Sequence, residues 1–200
     1  MARLQLTNVV SVVVMAFSFF HSHDADAATI KSRMTESDGQ AVIELSGRIQ
    51  EGDYEKVGRE VRYWNDGGIR VSGLRLNSAG GQILEAINIA KAIRSAEIAA
   101  VVGRNRDCLS ACALIFAYAT EKWADSSSRI GVHSASLDGK QTVESDALTA
   151  MLVRDLKTVG TPDSVISKTI VTPPDEIALL SLTEIQAMGG KIVGLQRAKL

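Results

Sequence analysis

The stretch that decides the fold is "EIAAVVGRNRDCLSACALIFAYAT", residues 97–120. Its aliphatic beginning predicts a buried strand over 97–103, and its small and apolar second half is typical of a buried helix. Between them lies a polar loop, and Ser110 stands between Cys108 and Cys112 where the loop becomes the helix. An N-cap would explain a serine at this point. Whether Ser110 also does chemistry depends on which groups face it.

The same alternation of aliphatic runs and amphipathic helices extends to both sides of this stretch. Strands are predicted over 41–47, 69–78 and 128–134, and helices over 52–66, 81–96 and 143–160. Strand, helix, strand repetition is typical of parallel βαβ units. Aromatic residues are few and aliphatic residues plentiful, which fits an α/β core. No repeat or Pro/Gly-rich linker divides the chain, so one domain is predicted over 28–200.

The N-terminal segment predicts export. Arg3 precedes the apolar run "VVSVVVMAFSFF" (9–20), and Ala25-Asp26-Ala27 matches the A-x-A cleavage pattern of a secretory signal peptide. A permanent membrane anchor is the alternative, but the run is shorter than the roughly 20 residues that a spanning helix needs. The sequence therefore predicts a signal peptide over 1–27 and a mature protein in the periplasm or secreted.

Neither the net charge of the chain nor its cysteine and histidine content favours a nucleic-acid partner or a metal site. The formal net charge is −1 and no basic block occurs, so no nucleic-acid partner is expected. Two cysteines and one histidine beyond the signal peptide make a poor metal site, because structural zinc needs four ligands. No metal and no cofactor are expected.

Three features fall at the carboxyl ends of the predicted strands, where α/β folds place their working loops. They are the turn "NSAGG" (77–81), the loop before Ser110, and His133, the one histidine outside the signal peptide. A serine in the first turn of a helix lies where free N–H groups favour developing negative charge. Ser110 as nucleophile, His133 as base, and the N–H groups of Gly81 and Ala111 as oxyanion donors form the minimum set for acyl transfer. A helix cap and a strand-ending histidine are the alternatives.

At these residues the chain resembles the proteolytic subunit of the Clp protease, within the wider Clp/crotonase superfamily. The motifs are "NSAGG" with Ala79 in place of the family's proline, "CLSACA" (108–113) around the serine, and "IGVH" (130–133) ending in the histidine. The similarity extends over about residues 41–193 and is typical of an exported branch. It implies a single-domain α/β spiral of repeated ββα units, the ClpP/crotonase-like fold. It also implies Ser110, His133 and an acid as the catalytic set, with Gly81 and Ala111 as oxyanion donors.

The acid is Asp175 by position, since the family places an aspartate shortly before a short helix, matched here by "TEIQAMG" (183–189). Glu176 is the neighbouring candidate, and a dyad supported by a backbone carbonyl is the alternative, because the acid mainly orients the histidine. A Ser–Lys site would instead require Lys122 or Lys140 to face the serine.

Cys108 and Cys112 leave two alternatives open. In an exported protein they are expected to pair, and at i, i+4 of a helix their Cα atoms would lie roughly 6 Å apart, within disulfide range. Two buried thiols are the alternative, and a free thiol would make a cysteine nucleophile conceivable.

Two classes of function follow. The first is an exported serine peptidase or acyl hydrolase that acts on unfolded chains or small peptides without an ATPase partner. The second is a catalytically silent binding or assembly module on the same scaffold. Relatives assemble into homo-oligomers, and a stripe in the helix after His133 offers a surface for a partner or, alternatively, ordinary core packing. The stripe consists of Leu148, Met151, Leu152 and Leu156.

The export hypothesis predicts the N-terminus of the mature protein. Protein purified from its native host should begin at Ala28 or within one or two residues of it, because cleavage follows the A-x-A pattern. Intact-mass measurement checks this. A mass that includes residues 1–27 would contradict export by cleavage.

Overall fold

The computed structural model describes residues 27–36, 39–137 and 139–194. The predicted signal peptide, apart from Ala27, lies outside the described residues. The strands are β1 (Thr29–Met34), β2 (Ala41–Ser46), β3 (Val71–Asn77), β4 (Ala99–Val102), β5 (Asp107–Leu109), β6 (Lys122–Asp125), β7 (Arg129–Val132), β8 (Ala178–Leu179) and β9 (Gly190–Val193). The helices are α1 (Asp53–Asp66), α2 (Ile83–Ser95), α3 (Ala111–Tyr118), α4 (Val143–Thr158), α5 (Asp163–Val171) and α6 (Leu182–Ala187).

The strands form two sheets. The larger has the order β1-β2-β3-β4-β6-β9, parallel except for the antiparallel edge strand β1. The smaller has the order β5-β7-β8, with β5 and β7 parallel and β8 antiparallel. An isolated parallel bridge between Ser78 and Cys108 joins the end of β3 to the smaller sheet. The two sheets therefore meet at the polar turn that follows β3.

Two successive units of the fold send one strand to each sheet before their helix. β4 lies in the larger sheet, β5 in the smaller, and α3 follows; β6, β7 and α4 repeat the order. The α/β class, the single domain and the ββα repeat are as expected. The simple βαβ alternation read from the periodicity was incomplete, because β5 has only three residues and shows no pattern of its own.

Helix α3 is the centre of the core. All its residues, Ala111–Tyr118, are buried. They pack with aliphatic side chains of β2, β3 and α2 in one hydrophobic cluster that includes Ile43, Leu74 and Ile89. Because fully burying a Leu, Ile or Phe side chain contributes about 1.5–3 kcal/mol, this helix is fixed in place by its apolar surroundings. Ser110, which immediately precedes the helix, is therefore held in place with it.

The buried carboxylate of Asp53 fixes the segment between β2 and α1. Its side chain is 0 % exposed and accepts hydrogen bonds from the Gln50 N–H at 2.8 Å and the Lys56 ammonium at 2.8 Å. The next residue toward β2 is Ile49, whose N–H donates to Gly80 O at 2.8 Å and whose carbonyl accepts from Gln82 N–H at 2.9 Å. Asp53 thereby holds the segment against which the glycine turn is aligned.

No helix among the described residues combines the length and the apolar character required to cross a bilayer.

Replacing Asp53 by Ala should lower the free energy of unfolding by about 1–3 kcal/mol, because two donors lose a buried acceptor. Chemical denaturation followed by circular dichroism measures the change. Glu55→Ala is the matched control, since Glu55 lies in the same first helical turn but is exposed. Equal effects of the two substitutions would contradict the role assigned to Asp53.

Candidate active site

Ser110 has an unusual backbone between β5 and α3. Its φ is 54° and its ψ −126°, a conformation that a residue with a Cβ adopts only at a cost of about 1–3 kcal/mol. Its N–H donates to Gly131 O at 2.9 Å, and its carbonyl accepts from Ala113 N–H at 2.9 Å. The side chain makes no capping hydrogen bond to the helix. The N-cap interpretation therefore does not account for the hydroxyl.

A disulfide between Cys108 and Cys112 encloses this turn. Both residues are 0 % exposed and their Cα atoms lie 5.0 Å apart. The alternative of two buried thiols is excluded in this structure. The expected geometry of two cysteines in one helix was wrong, because Cys108 lies on β5 and only Cys112 lies on α3. The bridge thus links strand to helix across Ser110.

The glycine turn after β3 packs directly against the serine. A Cβ on Gly80, which has a φ of 101°, would lie 2.7 Å from Ser110 Cβ and 3.0 Å from Ala111 N. The turn is held by Ser78, whose Oγ accepts from Gly80 N–H at 3.0 Å and whose carbonyl accepts from Leu109 N–H at 3.0 Å. Only glycine permits so close an approach at this φ.

Two backbone N–H groups beside Ser110 are not used by the secondary structure. Ile49 donates its N–H to the Gly80 carbonyl and accepts the Gln82 N–H at its own carbonyl. The Gly81 N–H takes no part in this bridge. Ala111 is the first residue of α3, where a helix has N–H groups without an internal acceptor. Both residues line the same cavity as Ser110. Donors of this kind can stabilise an oxyanion.

His133 directly follows β7 and lines the cavity with Ser110. Its Nδ1 lies 2.6 Å from the backbone carbonyl oxygen of Ser134. Because a carbonyl oxygen can only accept, Nδ1 is the donor in this contact, and the contact leaves Nε2 free. An Nε2 without a proton is what a general base requires.

The remaining candidates lie elsewhere. Asp175 and Glu176 are exposed in the turn before β8 and do not line the cavity. Within the described residues the only hydrogen bond assigned to the imidazole is the one to Ser134, so the acid role of Asp175 stays a prediction. Lys122 lies on β6 away from the cavity wall, and burial lowers the pKa of its ammonium. Lys140 is exposed and does not line the cavity either.

The cavity has a volume of about 440 Å³ and extends from Ser110 and His133 to the helices α4 and α5. Helix α4 supplies Leu148, Leu152 and Leu156 to its wall, whereas Met151 is 61 % exposed. The Tyr118 hydroxyl donates to Asp155 Oδ2 at 3.1 Å and so ties α3 to α4. Burial, followed by the hydrogen bond to Asp155, raises the pKa of Tyr118 to about 12. The Tyr118 hydroxyl is therefore protonated and neutral at physiological pH.

Sequence reasoning missed the far wall of this cavity. The helix α5 was not predicted, and with it Thr161 and Val165 were not recognised as lining residues. The only available signal was the apolar spacing of "DSVISKTIV" after Pro162. Among the described residues no cluster of three or more His, Cys, Asp or Glu side chains could hold a metal ion.

No protein-family model and no curated protein sequence matches this chain. Solved structures do match. ClpP1 from Listeria monocytogenes has a TM-score of 0.60 at 16% identity, covering 76% of this chain and 90% of that chain. The chain has a ClpP-like fold. A mutant of the same ClpP1 has a TM-score of 0.56 at 19% identity, with 76% and 90% covered. A mutant of 1510-N, a membrane-bound stomatin-specific protease, has a TM-score of 0.54 at 14% identity, with 74% and 76% covered. Identities this low establish the fold and leave activity to the site itself.

The contact between the glycine turn and Ser110 predicts a contrast between two substitutions. Gly80→Ala should cost about 1–2 kcal/mol for its positive φ and about 1–3 kcal/mol more for overlap with Ser110. Gly160→Ala is the matched control, since Gly160 has a φ of 79° but nothing within 4 Å of an added Cβ. Gly160→Ala should show only the cost of the positive φ. Denaturant unfolding measures both, and equal losses would contradict the close contact.

Proposed function

We propose that this protein is an exported serine peptidase, or a related acyl hydrolase, with Ser110 as nucleophile and His133 as general base. The observation that carries the proposal is the backbone of Ser110. Ser110 has a strained backbone with positive φ at a helix start, its hydroxyl does not cap the helix, and His133, whose Nδ1 faces a carbonyl, lines the same cavity, which together support a reactive serine. Strain of this kind persists where function requires it.

The reaction follows from these groups. His133 Nε2 accepts the proton of the Ser110 hydroxyl as Oγ attacks a substrate carbonyl, and the negative charge develops on the carbonyl oxygen. The N–H groups of Gly81 and Ala111, with the N-terminal end of α3, stabilise that oxyanion. The imidazolium then donates its proton to the leaving amine, and a water molecule, deprotonated by His133, hydrolyses the acyl-enzyme. No cofactor takes part.

A backbone carbonyl orients the histidine in this proposal. The Ser134 carbonyl holds Nδ1–H in place, which is the task that a carboxylate performs in a triad. A carboxylate also stabilises the imidazolium by charge, and a carbonyl dipole does so less well. We therefore expect slower acylation than a complete triad gives.

The substrates are unfolded polypeptides or small peptides, and the reaction does not depend on an ATPase. The solved structures of similar fold include a membrane-bound stomatin-specific protease, which supports peptide substrates. The buried disulfide supports an oxidising compartment, and hence export. Exposed apolar side chains on α4 and α5, such as Met151 and Val171, offer a surface for homo-oligomer assembly.

A catalytically silent binding module is the second candidate. The position of Asp175 favours it, because no carboxylate among the described residues hydrogen-bonds to His133 and the fold alone does not require activity. The two candidates differ in one property: only the enzyme has a nucleophilic hydroxyl.

A fluorophosphonate probe tests that property. The wild-type protein should be labelled at Ser110, identified by peptide mass mapping, and Ser110→Ala should not be labelled. Ser136→Ala is the matched control, since Ser136 lines the same cavity and should leave labelling intact. His133→Gln should slow labelling by about 10²-fold or more, as expected for loss of a general base. Absence of labelling in the folded wild-type protein would favour the binding module.

Asp175→Asn distinguishes the two ways of orienting His133. If the Ser134 carbonyl suffices, the labelling rate should change by less than about threefold, whereas loss of a true triad acid costs about 10⁴-fold. Glu176→Gln is the neighbouring control. A large effect of Asp175→Asn would place the aspartate in the triad after a movement of its turn.

A further inference from the structure

The disulfide between Cys108 and Cys112 spans the strained residue itself. Ser110 lies midway between the two cysteines, whose Cα atoms are held 5.0 Å apart. Cys108 belongs to β5 and Cys112 to α3, so the bridge closes a turn from strand to helix rather than one turn of a helix. The bridge therefore acts directly on the backbone of the proposed nucleophile.

Ser110 differs from the other residues that have a Cβ and a positive φ. Among the described residues these are Glu97 and Asn105, and both lie at exposed positions in turns. Ser110 combines its φ of 54° with a ψ of −126°, far from the ψ of roughly +47° that the left-handed region favours. It also precedes a helix that is buried throughout. Its conformation is therefore not that of an ordinary surface turn and has to be imposed by its surroundings.

A serine in front of a helix has a conformation without this strain. In the usual N-cap the residue has extended dihedrals, and its hydroxyl accepts a hydrogen bond from an N–H of the first helical turn. At Ser110 that conformation would release the strain and would pair one of the free N–H groups of α3. It would also engage the hydroxyl that the proposed reaction requires. A reactive Ser110 therefore depends on contacts that exclude the N-cap conformation.

The disulfide excludes the N-cap conformation by distance. Bridged cysteines keep their Cα atoms within about 4.4–6.8 Å of each other. Extended dihedrals at Ser110 would lead β5 away from the start of α3 and would separate Cys108 from Cys112 beyond that range. The other contacts of this turn are non-covalent: the Ser110 N–H donates to Gly131 O at 2.9 Å, and Gly80 packs against the Ser110 Cβ. Without the bridge, only these weaker contacts oppose the N-cap conformation.

We propose that formation of the Cys108–Cys112 disulfide converts Ser110 from an unreactive helix cap into a reactive hydroxyl, so that the hydrolase becomes active only where thiols are oxidised. The inference rests on the proposed function of Ser110 and adds the regulation of that site. Neither cysteine lines the cavity, and both are 0 % exposed. Cys108 and Cys112 are therefore positioning residues, which hold Ser110 and do not touch the substrate.

The activating step is a thiol–disulfide exchange. One cysteine thiolate attacks a sulfur of an oxidising protein or small-molecule disulfide and releases a thiol, and the second cysteine then attacks the mixed disulfide and releases the other thiol. Two electrons and two protons pass from the cysteines to the oxidant. Because both cysteines are buried in the folded protein, the exchange takes place during folding, and a dissolved reductant has no direct access to the finished bridge.

The first experiment compares bridged with unbridged protein by the rate of fluorophosphonate labelling. The unbridged forms are Cys108→Ala/Cys112→Ala and wild-type protein refolded in excess tris(2-carboxyethyl)phosphine. Their maximal labelling rate should fall by about 10²-fold, the effect of displacing a reacting group by about 1 Å. The probe concentration that gives half of the maximal rate should change little, because the cavity wall stays intact. Refolding the reduced protein with oxidised glutathione should restore the wild-type rate.

Val57→Ala is the matched control for loss of stability. Val57 is buried on α1, so its truncation should lower the Tm while the maximal labelling rate stays that of the wild-type protein. Equal rates for bridged and unbridged protein would overturn the proposal. Loss of the circular dichroism spectrum of the fold in both unbridged forms would also overturn it, because the bridge would then support the whole domain rather than one turn.

A structural measurement separates failure of this inference from failure of the proposed function. In a crystal structure of Cys108→Ala/Cys112→Ala, Ser110 should have a negative φ, and its Oγ should accept a hydrogen bond from the first turn of α3. A positive φ retained in this variant would overturn the inference. If the wild-type protein is not labelled, the proposed function fails, and the same crystal structure still decides whether the bridge sets the backbone of Ser110. Equal labelling of bridged and unbridged protein would reject the activation by oxidation and keep the serine hydrolase.

Discussion

Ser110 keeps a positive φ because three separate segments hold its backbone. The carbonyl of Gly131 on β7 accepts the Ser110 N–H, and the glycine turn after β3 lies against the Ser110 Cβ. The disulfide joins Cys108 and Cys112, two residues to either side of Ser110. Each segment comes from a different part of the chain. These segments meet where the two sheets join. The positions of the cavity and of His133 therefore depend on the same contacts.

This arrangement explains why the Ser110 hydroxyl does not cap the helix that it precedes. A serine in the usual extended N-cap conformation would bond to the N–H groups of the first turn and would be poorly placed to react. With a φ of 54° the side chain makes no such bond, and the N–H of Ala111 remains available. The strain costs stability, and the buried apolar length of α3 offsets it.

Much of the scaffold could be predicted because it repeats over many residues. The helices α1, α2 and α4 show apolar spacing over three or more turns, and the strands before them are aliphatic, so their type and order follow from the sequence. The glycine turn, Ser110 and His133 could be gathered at one edge because parallel strands share a direction. In the structure Gly81 of that turn, Ser110 and His133 line one cavity.

Other features could not be predicted, for physical reasons. The strands β5 and β8 have three and two residues, too few for any period to appear. The orientation of the His133 ring depends on the backbone carbonyl of Ser134. Every residue has such a carbonyl, so no residue type predicts this contact.

The contacts that build the site are mostly between backbone atoms. The turn of Gly80 and Gly81 is aligned by the main chain of Ile49, Ser110 is held by a carbonyl of β7, and His133 is oriented by a carbonyl. Backbone groups are the same whatever the side chain, so few positions require a given residue type. A scaffold of this kind tolerates extensive divergence of sequence while its geometry survives.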